Sequence, residues 1–530
     1  MNDRNRLRKA PADFRSEHAI GPGTKNNAFP WTIELALSGG GLRATAFGLG
    51  VMLYLVHSGL NKKVRNIASV SGGSITNAFV AGRCDFTTVD IDSFRRKIAA
   101  ELARLVASRG LEKAKLTWIY ILATLAAAAF LSYLAFFHFL SWHWIWAAML
   151  LLVLMFARGA VITMWMKRTF FPERLDKLTL GDMARRSVDH VFCATDLNEG
   201  QPLFFSSADG GRVFSQIHGV VRQPRVPVLA AVRASAAFPP FIPPMLFKPN
   251  AEWTSLQGFD FQTGLFPQAL WLTDGGAYNN FGTDWQRLRD HLYFDAALLP
   301  DDFRTSSPGI DETAMRARSN EHYRSHGQRY GQVQLVADAS QKGHPIKLRS
   351  LHSPVLGLLT YMKRTMDVMY GSTLDARSAD AIRIARNRMN QYPKKWYPGS
   401  LLDRGKNREE QFPDHDFNTS GPLIVIAPLS KAPLEILLEW GTDAYVYAPE
   451  GIEKHGIVYR NELASAQQDF RDLWDVGSVK TTFFSLGRGD TLRLIFRGYI
   501  AARVVLTAAF APYVPTCLPD RSWFEELIAP

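Results

Sequence analysis

The chain has 530 residues, 47% apolar and 21% charged, which excludes a wholly disordered polypeptide and leaves room for several domains or one large domain with insertions. Lys and Arg number 61 against 49 Asp and Glu, a net charge of +12, so the expected partners are anionic surfaces. Cys84, Cys193 and Cys517 are too few and too scattered for a disulfide framework or a zinc site, and no His/Cys/Glu cluster has metal-ligand spacing, so neither metal nor cofactor is expected.

Residues 1–30 are polar and basic, with Gly21-Pro22-Gly23 and no apolar core of a secretory signal; they read as a flexible tail. Thr32–Leu37 then reads as a strand. It runs into Ser38-Gly39-Gly40-Gly41-Leu42-Arg43 and an apolar helical stretch, Ala44–Val56. A glycine turn before a helix points backbone N–H groups at an anion, although such turns are often purely structural. Val64–Val70 reads as a second strand, followed by Ser71-Gly72-Gly73-Ser74 and a helix from Ile75 to Val80. This is the setting of a nucleophile elbow, in which a sharp strand-to-helix turn lifts a serine hydroxyl above the sheet edge. The G-x-S-x-G pattern is met as Ser69-Val70-Ser71-Gly72-Gly73, with Ser69 in the first glycine position. Taken alone, Ser71 suits helix capping as well as catalysis.

From Leu116 to Ala157 there is no Asp, Glu, Lys or Arg. About 20 apolar residues cross roughly 30 Å of hydrocarbon, so this run accommodates two spans. We place them at Leu116–Leu140 and Trp144–Met166, the second carrying Arg158, whose side chain would snorkel to the nearer interface. Lys113 and Lys115 precede the pair, Lys167, Arg168 and Arg174 follow it, and the tip has neither Lys nor Arg. That bias puts both flanks in the cytoplasm. A hairpin buried in a soluble core and a re-entrant hairpin are the competing readings.

Beyond the hairpin, Ala269–Thr273 is strand-like and ends in Asp274-Gly275-Gly276. Asp-Gly is most often a turn, so the weight lies on the conjunction: strand–GGGxR–helix, strand–SxSGG–helix, then a strand-terminal Asp-Gly-Gly. With these three motifs the sequence resembles the patatin-like phospholipase family. Further matches are Val191–Asn198, the Arg233-Ala234-Ser235-Ala236-Ala237-Phe238-Pro239 segment, Val333–Ser340 and, more loosely, Arg497-Gly498-Tyr499.

The resemblance implies an α/β fold with a three-layer α/β/α core and a mostly parallel sheet, interrupted by the inserted hairpin. It implies Ser71 as nucleophile and Asp274 as general base. It further implies an oxyanion hole from Gly39, Gly40 and Gly41, with Arg43 supporting that loop and Gly73 supporting the elbow. On this basis residues 31–115 and 167–345 form the two parts of the catalytic core, 116–166 the hairpin, and 346–530 a portion completing the domain. A Ser–Asp–His triad would need a histidine after Asp274; His291, His322, His326 and His344 follow no strand with a catalytic turn and read as surface or structural. Thr491–Phe510 is apolar but carries Arg493, Arg497 and Arg503, so it reads as a packing helix rather than a third span, with a position on the membrane surface as the competing reading.

The function expected is cleavage of a membrane phospholipid or lysophospholipid ester by an integral membrane protein with its catalytic part in the cytoplasm. An acyltransferase using the same acyl-enzyme, or a catalytically silent scaffold, are the competing functions. No nucleic-acid recognition motif accompanies the positive charge.

Overall fold

The computed structural model describes residues 32–137, 143–172, 177–183, 186–215, 219–239, 242–249, 269–285, 333–340, 423–433, 435–436, 463, 466–476, 479, 481–510 and 518–529. The expected N-terminal tail, the hairpin tip, Arg174 and the four histidines after Asp274 lie outside the described residues.

The fold is mixed α/β. Its strands are β1 (Ile33–Leu37), β2 (Val64–Ser69), β3 (Asp189–Asp196), β4 (Gln201–Ser206), β5 (Arg212–Ser215), β6 (Gly219–Arg222), β7 (Met245–Phe247), β8 (Leu270–Asp274), β9 (Val333–Asp338) and β10 (Leu423–Pro428). They form one sheet in the order β10-β9-β1-β2-β3-β4-β5-β6, with β8 attached to β3 and β7 to β8. From β10 to β3 all neighbours are parallel. Beyond β3 the pairings are antiparallel.

All five residues of β1 are buried, as a parallel strand covered on both faces requires. Alternation sorts the side chains. Leu35, Leu37, Ile67, Leu335 and Val425 join the large helical core on one face. Ala36 and Val336 meet Phe281 on the other, while Ala68, Val70, Val191 and Cys193 share a cluster with Trp285. Trp285 sits with its ring 5.3 Å from that of Phe204 and 5.1 Å from that of Phe214.

Among the described residues the main helices are α1 (Gly41–His57), α2 (Gly72–Ala81), α3 (Ala100–Ser108), α4 (Lys115–Phe137), α5 (His143–Phe170), α6 (Val228–Ser235), α7 (Gly276–Asn279), α8 (Gly487–Phe510) and α9 (Arg521–Glu525). The most extensive helix packing joins α1 to α8, at the opposite end of the sequence. Both helices use a glycine at the crossing: a Cβ on Gly50 would overlap the Ile495 carbonyl, and one on Gly498 the Phe47 carbonyl. The Arg-Gly-Tyr segment is therefore structural. Buried Arg497 donates to the Leu429 and Lys431 carbonyls after β10, Gly498 admits α1, and the Tyr499 hydroxyl lies 2.5 Å from His57 Nδ1. Leu492 through Leu506 are almost all buried against the protein, so α8 is a core helix and not one lying on a membrane.

Helices α4 and α5 behave differently. Both are long and apolar enough to cross a membrane. Trp118, Ile119, Leu122, Leu125, Phe130 and Tyr133 on α4, and Ile145, Trp146, Met149, Leu150, Leu152 and Val153 on α5, are each between 48% and 63% exposed. So large a bare apolar surface marks a site of contact with a membrane or another protein. This excludes the reading in which the pair is buried in a soluble core. The second span also needs a revised boundary. Val161, Ile162, Trp165, Met166 and Phe170 are buried in the protein, and Trp165 Nε1 donates to the Arg109 carbonyl at 3.2 Å. Apolar character continued through Met166 because a domain core and a bilayer select the same residue types. The last turns of α5 thus belong to the core, while the exposed large side chains of the helix run from Ile145 to Val153.

The α1–α8 crossing can be tested by comparing two glycines of α8. Gly498→Ala forces a methyl into the Phe47 carbonyl and is expected to cost about 2 kcal/mol or more. Gly489→Ala meets nothing within 4 Å and is expected to be neutral or stabilising by up to about 1 kcal/mol. Chemical denaturation of the two variants in detergent measures the difference.

Candidate active site

β3 pairs with β2 through its first half, Phe192 facing Ser69. β2 ends there, and β8 takes over its place: Ala194 faces Asp274, Thr195 faces Thr273 and Asp196 faces Leu272. Asp274 therefore lies just beyond the C-terminal end of β2, where the chain turns through Val70 and Ser71 into α2. This change of partner along one strand brings together residues 203 positions apart in the sequence (274 − 71).

Ser71 is the only non-glycine residue at positive φ among the described residues, with φ 50° and ψ −118°. Its side chain makes no capping hydrogen bond to α2. The capping explanation therefore fails, and the strained backbone is what an elbow requires. Three tethers impose it. Ser71 N–H donates to the Ser235 carbonyl at 3.2 Å and to Ser235 Oγ at 3.0 Å, Val70 N–H donates to the Leu37 carbonyl, and Gly73 packs so closely that a Cβ would lie 2.6 Å from the Leu37 carbonyl oxygen. Ser69, the departure from the glycine pattern, is the last residue of β2, and its hydroxyl is fully used. It donates to the Val191 carbonyl at 2.8 Å and accepts from Ser74 Oγ and Asn77 Nδ2. Its Cβ causes no difficulty because the sharp turn falls at Ser71 and not at Ser69.

Asp274 is buried. Gly276 N–H donates to its Oδ1 at 2.7 Å. Its own N–H and that of Gly275 donate to the Ala237 and Ser235 carbonyls. The Ser235 carbonyl thus accepts from both the serine turn and the aspartate turn, which gives the Ala-Ser-Ala-Ala segment at the end of α6 a role that its sequence alone did not reveal. Burial is the largest influence on the Asp274 carboxyl and pushes its pKa up to about 7, against smaller lowering by the Gly276 N–H and the Ser71 hydroxyl. Ser71 is near enough to exert that influence, yet Oδ2 has no partner of good hydrogen-bond geometry. The two side chains thus approach closely short of a formed hydrogen bond, a geometry that commonly tightens when substrate binds.

The glycine turn faces the same point. A Cβ on Gly39 would lie 3.2 Å from that of Ser71. Gly40 and Gly41 have φ of 142° and 59°, outside the range comfortable for other residues. Ser38 fastens the turn to β9 by donating its N–H to the Ala337 carbonyl and accepting from Ala339 N–H at Oγ. The expected donor set needs one correction: Gly39 N–H is committed to the Asn280 carbonyl at 3.0 Å, because the chain after α7 returns past the turn. Gly40 and Gly41 N–H have no acceptor among the described residues, and neither does that of Gly72. Gly72 was legible in principle, since the residue after an elbow nucleophile commonly supplies an oxyanion donor. Thr45 Oγ1 donates to the Gly41 and Gly72 carbonyls at 3.2 and 2.9 Å, holding the N-termini of α1 and α2 side by side. Arg43 lies under the turn and not in it. It is buried, donates to the Val479 carbonyl and feels the charge of Asp338, and desolvation lowers its pKa to about 10.

A model of the patatin-like phospholipase family matches residues 35–284. No curated protein sequence matches the chain. Among solved structures, the human GIVD cytosolic phospholipase A2 aligns at 12% identity and a TM-score of 0.40, covering 90% of this chain and 60% of that one. VipD from Legionella pneumophila aligns at 11% identity and a TM-score of 0.29, covering 90% and 67%. This chain thus spans about 60% of the phospholipase it matches.

The strain at Ser71 can be measured. Ser71→Gly removes the Cβ at positive φ and is expected to stabilise the protein by about 1 kcal/mol in equilibrium denaturation. An unchanged or lowered stability would mean that the turn is relaxed. Residues 35–284, just under half of the chain, thus form a patatin-like phospholipase domain.

Proposed function

We propose that the protein is a membrane-anchored hydrolase of lipid esters, with Ser71 as nucleophile and Asp274 as general base. The observation that carries this reading is the approach of a strained serine and a buried aspartate beside three glycine N–H groups without acceptors among the described residues. In the first step Ser71 Oγ attacks the ester carbonyl carbon as its proton passes to Asp274. The N–H groups of Gly40, Gly41 and Gly72 receive the charge on the carbonyl oxygen, helped by the positive ends of α1 and α2. Collapse breaks the ester C–O bond, and Asp274 returns the proton to the departing alcohol. Water then repeats the sequence on the acyl-serine and releases a fatty acid. A carboxyl titrating near 7 is a far better base than one near 4, and its burial is what supplies the difference.

Membrane attachment is supported by the bare apolar surfaces of α4 and α5, and the cytoplasmic placement by the Lys and Arg flanking them. Two crossings leave the segments bearing Ser71 and Asp274 on one side of the bilayer, as a shared site demands. No observation favours acyl transfer to an alcohol over hydrolysis.

Detergent-solubilised protein is expected to react with a fluorophosphonate probe and to hydrolyse p-nitrophenyl esters. Ser71→Ala should abolish both, and Asp274→Asn should reduce turnover by about 10³-fold or more. Activity persisting in both variants would end the proposal. Turnover should also rise with pH up to about 7 and then level off, because Asp274 must be unprotonated to act. A profile flat down to pH 5 would contradict the buried base. Stability should run the other way. The folded carboxyl holds a proton that the unfolded chain loses near its ordinary value of 3.8, so its contribution is most favourable below that pH and is lost as pH rises through 7. Asp274→Asn is therefore expected to be the more stable protein at pH 8, by on the order of 2 kcal/mol.

A further inference from the structure

Where α5 passes from its bare half into the domain, it leaves an open cavity of about 640 Å³ against α6, β7 and β8. Its walls are mostly aliphatic, and among the described residues no acidic side chain lines it. Two arginines do. Arg158 comes from α5, and Arg233 from α6, two residues before Ser235. Arg233 is 4% exposed and spends one nitrogen on the Pro243 carbonyl at 2.8 Å, while its Nε and Nη1 are buried without partners among the described residues. Nε of Arg158 is likewise buried without a partner. The helices are in contact here: a Cβ on Gly159 would stand 3.4 Å from Arg233 Nη2. The Arg233 guanidinium sits in an apolar wall beside another cation, and desolvation, followed by the charge of Arg158, lowers its pKa to about 10. Such an arrangement costs free energy unless an anion joins it.

The surroundings identify the anion's source. Leu152, Leu246 and Trp271 line the cavity and are 53%, 42% and 48% exposed, so its rim is apolar and continuous with the bare half of α5. An arginine on a membrane helix near the end of its apolar length, beside an exposed tryptophan, stands at headgroup depth. Guanidinium groups match phosphate oxygens in charge and in planar geometry. We infer that this cavity binds the phosphate of a membrane glycerophospholipid between Arg158 and Arg233, with the glycerol and upper acyl carbons against the aliphatic wall. The site rests on the reading of α5 as membrane-embedded and is independent of catalysis at Ser71. Arg158 lines this cavity together with Arg233.

The test is native mass spectrometry of the full chain, carrying Ser71→Ala so that bound lipid survives, in detergent with added phosphatidylglycerol or diacylglycerol of the same acyl chains. Phosphatidylglycerol should be retained and diacylglycerol not. Arg158→Gln, which removes no hydrogen bond seen among the described residues, should lower retention about tenfold, and Arg158→Lys should restore part of it. Arg233→Gln should do the same wherever its thermal unfolding matches the parent's. Undiminished retention in Arg158→Gln would overturn the site, as would equal binding of diacylglycerol. Displacement by equimolar sn-glycerol 3-phosphate would overturn the lipid as ligand. Recovery of the chain in the soluble fraction without detergent would overturn the membrane reading and this site together, whereas loss of the arginine dependence in a detergent-requiring chain would overturn the site alone.

Discussion

The arrangement at Ser71 depends on a change of neighbour along β3. A strand of eight residues pairs with β2 over its first part and with β8 over its last, from opposite chain directions. The end of a parallel strand and the end of an antiparallel one therefore meet at one place on the sheet edge. The serine turn departs from the first and the aspartate turn from the second. Their spacing is set by backbone ladders and not by flexible side chains, which is how a site is held within the tolerance chemistry needs. The Ser235 carbonyl, accepting from both turns, fixes the same spacing from below.

The site stores cost in two forms. One is the positive φ of Ser71, the other the burial of Asp274. Each opposes folding, on the order of 1–3 kcal/mol for such a backbone conformation. They persist because the surrounding core over-determines the geometry. One hydrophobic cluster runs from Ile33 through Tyr499 to Leu527, and the α1–α8 crossing joins the two ends of the described chain beneath the glycine turn. On the proposed mechanism, the same burial that destabilises the Asp274 carboxylate makes it a useful base.

The hairpin is more closely integrated than a tether on a linker would be. α5 is one continuous helix whose first half is bare and whose last turns are core. α6, which ends at Ser235, packs on that helix, so on the proposed membrane reading a rigid rod fixes the domain's position relative to the bilayer. A lipid seated between Arg158 and Arg233 would contact both the membrane helix and the helix that braces the serine turn.

Local features of the sequence determined the strands and turns around the site and the length of the apolar run. Glycine patterns report backbone conformation, and uncharged stretches report an apolar surrounding, so both are visible without a fold. Sequence also assembled the three motifs correctly in one domain, although by resemblance and not by geometry. Tertiary structure alone decided which glycine N–H groups have no acceptor among the described residues, because Gly39 commits its own to Asn280, a contact 241 positions away (280 − 39). It alone separated the bare half of α5 from its core half, since Trp165 and Trp146 are the same residue type in different surroundings. It alone turned Arg158 toward Arg233. Composition and periodicity record what each residue prefers, whereas hydrogen-bond partners and burial are properties of pairs, and a pair exists only once the chain has closed on itself.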